Sequence, residues 1–128
     1  MNCSFCSATP ETVTHLFWHC PFVKRLWTDV CNFIANHIEA DFKLFWKDVL
    51  FGIFDSNRNS TRPKETFIIN LILILAKFHI HKCKFTHKKP SFVAFYNEVL
   101  LYSVSIKFSH NQKAIKTTNI CVLYNLFM

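Results

Sequence analysis

Cys3-Ser4-Phe5-Cys6, followed at a distance by His15-Leu16-Phe17-Trp18-His19-Cys20-Pro21, is the stretch on which the reading of this chain turns. The spacing Cys3-x2-Cys6-x8-His15-x4-Cys20 matches what zinc asks of a protein: four thiolate or imidazole ligands at tetrahedral corners. A pair of cysteines two residues apart delivers two thiolates from one tight turn. A histidine and a cysteine arriving from the next segment fill the other two corners. With all four positions taken by protein, the pattern predicts a structural site rather than a catalytic one. His19 is the rival for the third corner, but it abuts Cys20, and adjacent residues seldom converge on one metal. The spacing therefore favours His15.

Outward from Cys20 the pattern becomes helical. Pro21 stands at the first-turn position that proline tolerates, which makes Cys20 the N-cap, where the helix dipole favours a thiolate. Val23, Leu26, Trp27, Val30, Ile34 and Ile38 then recur at helical spacing and predict an amphipathic helix of about 17 residues. A short helix is expected from Lys43 to Leu50, with Phe42, Phe45, Trp46 and Val49 on one side and Gly52 ending it. Residues 55–62 are polar and rich in helix breakers, so they read as a loop. Pro63 opens the longest helix, expected to run to the Lys89-Pro90 junction with Ile69, Leu73, Ala76, Ile80 and Cys83 as its apolar stripe. After Pro90 a last long helix carries Phe92, Phe95, Tyr96, Val99, Tyr102 and Ile106, broken near Ser109-His110-Asn111 and followed by the apolar tail Ile120–Met128. The prediction is an all-α fold: a small zinc-nucleated module over residues 1–28, leading into about four packed helices over residues 29–128.

Composition bounds the chemistry. Hydrophobic residues make up 51% of the 128 residues and aromatics 16%, ample for a core. Glycine occurs once, at Gly52, which excludes glycine-rich phosphate loops and argues against a hairpin-rich β fold. No basic and apolar leader opens the chain, so no signal peptide is expected, and six cysteines then read as reduced thiols or metal ligands of an intracellular protein, in nucleus or cytoplasm. The most apolar run, Phe67 to Ala76, is shorter than the ~20 residues that span a bilayer, and a buried helix is the expectation. Cys31 and Cys83 fall near apolar stripes and are expected in the core. Pairing Cys83 with His79 or His87 as a nucleophile finds no supporting acid in the sequence.

The net charge of +7 is uneven. Residues 65–128 hold eight basic and two acidic residues, and no acid falls between Thr66 and Asn97. Lys77, His81, Lys84 and Lys88 share one predicted helix face, with Lys82 and Lys89 nearby, while Phe78 and Phe85 are placed to stack on unpaired bases or to enter the core. A cationic face of this kind suits the phosphates of a nucleic acid, or is simply solvated.

The motif residues also carry a family likeness. Cys3-Ser4-Phe5-Cys6, then Glu11-Thr12-Val13-Thr14-His15-Leu16-Phe17-Trp18-His19-Cys20 and Trp27, resemble the zinc-binding region downstream of the polymerase domain in reverse transcriptases of non-LTR retrotransposons, the long interspersed element type. Phe78-His79-Ile80-His81-Lys82-Cys83-Lys84-Phe85-Thr86 and Lys88-Lys89-Pro90 are similar to the continuation of that segment in vertebrate elements. The resemblance implies a detached C-terminal piece that handles nucleic acid, RNA more readily than DNA, and that borders a polymerase domain; neither a membrane nor a small-molecule substrate is expected. The family's polymerase holds two magnesium ions on adjacent aspartates. This chain has no two adjacent acids, its nearest pair being Glu39 and Asp41. The expectation is accordingly no enzymatic activity; the competing class is a helical protein-interaction module or a degenerate reading frame.

Overall fold

A computed structural model describes residues 1–53 and 63–109. The fold is all-α: a π-helical turn (His15–His19), then α1 (Pro21–His37), α2 (Trp46–Phe51), α3 (Pro63–Phe85) and α4 (Phe92–Ser109). Among the described residues no strand forms, and one antiparallel bridge between Asn2 and Pro10 closes the N-terminal loop. The expected loop at 55–62, the break at His110–Asn111 and the tail with Cys121 lie outside the described residues.

The start of α1 follows the sequence closely. Pro21 is its first residue and Cys20 its N-cap, and Val23, Leu26, Trp27, Val30 and Ile34 are buried. They share one core cluster with Ile68, Ile69, Ile72, Leu73, Ala76 and Ile80 of α3 and Phe95 and Val99 of α4, which also takes in Cys3, Phe5, Leu16 and Cys20. Full burial of such aliphatic side chains is worth about 1.5–3 kcal/mol each, so the N-terminal loop is held by the same apolar burial as the helices. Phe33 of α1 meets Phe92 and Tyr96 of α4 at centroid distances of 6.1 and 6.2 Å, in the range of favourable ring pairs.

Two helices differ from expectation. α2 begins at Trp46, not Lys43, because the Asp48 carboxylate accepts the Phe45 N–H at 3.1 Å and fixes the helix start there. Phe42 is then buried while Phe45 and Trp46 stay exposed, so the four residues do not share a face. α3 ends at Phe85, short of Lys89. His87 takes a left-handed conformation (φ 56°), and the Lys88 N–H reaches back to the Cys83 carbonyl at 3.0 Å, a Schellman closure with histidine where glycine is usual. Lys88 and Lys89 thus leave the helix.

Glu65–Phe85 is long and apolar enough to cross a membrane by length and composition, contrary to the shorter run read from sequence. Half of that span is buried inside the protein, as in a core helix.

Candidate metal centre

Residues 1–11 form a compact loop that presents the first two cysteines. The Cys3 N–H donates to the Thr9 carbonyl at 2.8 Å, Ser7 N–H to the Cys3 carbonyl at 3.0 Å, and Glu11 N–H to the Met1 carbonyl at 3.0 Å. Ser7 sits at φ 56°, which turns the chain back sharply after Cys6. The π-helical turn supplies the rest. Its wide i→i+5 bond, Cys20 N–H to His15 carbonyl at 2.8 Å, fits one extra residue between His15 and α1, a device recurrent at functional sites. His15 faces inward from this turn, Cys20 closes it, and His19 is exposed.

The ligand atoms of Cys3, Cys6, His15 and Cys20 all lie within 4.8 Å of one another. Cys3 Sγ and Cys20 Sγ are 3.8 Å apart, and Cys6 Sγ is 3.4 Å from His15 Nε2. A tetrahedron with arms of about 2.3 Å to sulfur and about 2.0 Å to nitrogen has S···S edges of about 3.8 Å and S···N edges of about 3.5 Å. The donor set and both spacings fit a metal ion of zinc's size. Of the two candidate histidines, the structure brings His15 into the group and leaves His19 outside it. Thr9 Oγ1 lies 3.2 Å from His15 Nδ1 and 3.1 Å from Nε2, beside the ring edge between them.

The thiols are polarised in opposite directions. The Ala8 backbone amide, helped by His15 and Thr9, outweighs desolvation and brings Cys6 down from 9.0 to about 6. Burial pushes Cys20 up to about 11, against the downward pull of the Phe22 and Val23 amides at the start of α1. A divalent cation among these sulfurs supplies the missing counter-charge and favours the thiolates.

The predicted basic residues do not form one stripe. Lys77 is half-buried in a cleft of about 260 Å³ between α2 and α3, and burial lowers its pKa. Lys84 pairs with Glu11, and Lys82 pairs with Glu98 at 2.8 Å. These two acids, one before and one just after the acid-free window, neutralise cations that the sequence left unopposed. His81, Lys88 and Lys89 are exposed, and the Lys89 ammonium sits 4.1 Å from the centroid of Phe22. Phe78 and Phe85 are at the surface, not in the core, with Lys82 and Lys84 beside them at 5.9 and 5.7 Å.

Glu11 is the residue that sequence reading missed. It accepts the Ser4 N–H at 3.0 Å and the Ser4 hydroxyl at 2.8 Å as well as the Lys84 ammonium, so it joins the first cysteine turn to α3. The Lys84 hydrogen bond, then those from Ser4, hold its carboxyl at about 2. Glu98 was likewise not legible. It accepts from His79 Nδ1 at 2.8 Å, and Cys83 Sγ lies 3.5 Å from His79 Nε2, giving a Cys–His–Glu series. The Ser91 N–H also points at Nε2, at 3.3 Å, which leaves Nδ1 as the donor to Glu98. Cys83 and His79 are buried, and burial followed by the Glu98 charge pushes the thiol pKa up, the opposite of an activated nucleophile.

No family model, no curated protein and no solved structure matches this chain.

Proposed function

We propose that this chain is a zinc-organised, non-catalytic segment that binds nucleic acid, RNA in preference to DNA, and that it corresponds to the C-terminal region of a non-LTR retrotransposon reverse transcriptase acting inside the cell. The convergence of Cys3, Cys6, His15 and Cys20 on one point is the observation that carries the reading. Four protein ligands would leave zinc no position for substrate, so the ion would serve folding rather than chemistry. Support for the polyanion comes from the cations still exposed at the C-terminal end of α3 and in the turn that follows: Lys82, Lys88 and Lys89. The retrotransposon assignment, and the choice of RNA, rest on the likeness of the motif residues.

Metal analysis of the purified protein should give one zinc per chain, lost when Cys6 is replaced by serine. Binding to single-stranded RNA should weaken with salt at a logarithmic slope of about −2, as three phosphate contacts at roughly −0.7 each require. Replacing Lys82, Lys88 and Lys89 together by Gln should make that slope shallow. An unchanged affinity and slope in the triple variant would remove the nucleic-acid reading.

A further inference from the structure

α3 is apolar on two opposite faces; one is buried in the core, and the other touches it only at the partly buried Leu71. Ile69, Leu73, Ala76, Ile80 and Cys83 are buried. Half a turn away, Phe67, Leu71, Ile74, Phe78, His81 and Phe85 follow one another in alternating steps of four and three residues. That is heptad spacing, the pattern by which one helix receives another knob into hole. The stripe runs about 27 Å, five turns of helix. Phe67, Ile74, Phe78 and Phe85 are 49%, 57%, 59% and 66% exposed. Contiguous exposed apolar surface of this kind marks an interaction site.

We propose that this face of α3 is a docking seam for an amphipathic helix of another protein, whose acidic flank pairs with Lys77. Heptad spacing calls for a helix rather than a strand or a loop. Lys77 chooses the charge. It borders the seam half-buried, while its neighbours along α3, His79, Lys82 and Lys84, are held by Glu98 and Glu11. Asp48 lines the same cleft but uses its carboxylate on the Phe45 N–H. A carboxylate from the partner would give the half-buried ammonium a counter-charge. A second copy of this chain fits poorly: Lys77 lies one residue from the seam's midpoint, so in parallel or antiparallel register it would face its own copy. A polyanion fits the seam itself poorly, because its residues are mostly apolar and Lys84 beside it already holds the Glu11 carboxylate. The inference does not depend on nucleic-acid binding, which involves Lys82 at the edge of α3 and the turn that follows.

The probe is a fluorescent helical peptide of about 21 residues with Leu and Ile at the a and d positions and Glu at e and g. A second peptide carries Lys at e and g, and a single-stranded RNA serves as competitor. The full chain should bind the Glu peptide at least about tenfold more tightly than the Lys peptide. Ile74→Glu, or independently Phe78→Gln, should cost about tenfold or more with an unchanged melting curve, and Lys77→Gln should narrow the gap between the two peptides. Equal binding of both peptides, or no saturable binding up to about 100 µM, would overturn the proposal. So would displacement of the Glu peptide by RNA, or a dimer in sedimentation that Ile74→Glu dissolves, since the occupant would then be a polyanion or a second copy.

Discussion

Individual residues here differ most in what their surroundings do to one functional group, the thiol. Cys6 and Cys20 are ligands of the same candidate site, yet one is drawn down to about 6 by the Ala8 amide and the other driven up to about 11 by burial. Thiolate, not thiol, reacts with an alkylating agent, so the two should separate cleanly in the metal-free protein. At pH 7 Cys6 should be the first site modified by iodoacetamide, and Cys20, fully buried, among the last. Adding zinc should protect both, since a bound thiolate is no longer free to attack. Peptide mapping by mass spectrometry after short exposures reads this directly; modification of Cys20 ahead of Cys6 would contradict the described environment. The residue types and spacing made this ligand set legible from sequence. The spacing also favoured His15 over His19, and the structure adds the reason: the π-helical turn faces His15 inward and leaves His19 exposed.

At the level of elements, α1 was readable because three signals agree: Pro21 at the first position, a cap before it, and one apolar stripe that matches the buried set. α3 was readable in its core stripe and misread at its end. Nothing about histidine announces a left-handed residue, and the expected termination was the proline at 90. The closure at His87 instead ends the helix at Phe85 and removes Lys88 from the basic stripe that a longer helix would have displayed. The outward face was hidden for a related reason: a helix apolar all round gives no single period to follow. The His87 conformation has an energetic consequence. A non-glycine residue held at positive φ carries a steric cost of about 1–2 kcal/mol that glycine does not. His87 is exposed, so its side chain contributes little packing to offset that. His87→Gly should therefore stabilise the protein, by about 0.5–1 kcal/mol after the added freedom of the unfolded glycine is counted. A urea midpoint that falls rather than rises would show that the imidazole makes a contribution its exposure does not suggest.

For the molecule as a whole, the tie between the N-terminal loop and the helices was the part the sequence could not show. Burial joins them through Phe5, Leu16 and Cys20, and that much is implicit in an apolar composition. The polar tie is not, since Glu11 and Lys84 stand 73 residues apart and no spacing rule pairs them. Glu11 accepts hydrogen bonds from the turn between the first two cysteines and from α3 at once, so docking of the loop depends on its charge. Its carboxyl lies at about 2 in the folded protein against an ordinary value of 4.5. A depressed folded pKa contributes stability that is fully present above the unfolded value and is lost as pH falls through the folded one. The advantage of the parent protein over Glu11→Gln should thus be constant from neutral pH down to about 5, shrink between about 4.5 and 2, and vanish below. Acid also displaces metal from thiolate and imidazole ligands, but it does so in both proteins, so the difference between their urea midpoints isolates the carboxylate. Lys84→Gln should reproduce most of the loss at neutral pH, because the lysine hydrogen bond is the largest single cause of the depressed value. The double variant should cost less than the sum of the two, since each single change already breaks the same pair. A gap between parent and Glu11→Gln that persists unchanged to pH 2 would mean that the loop is held to α3 by apolar burial alone.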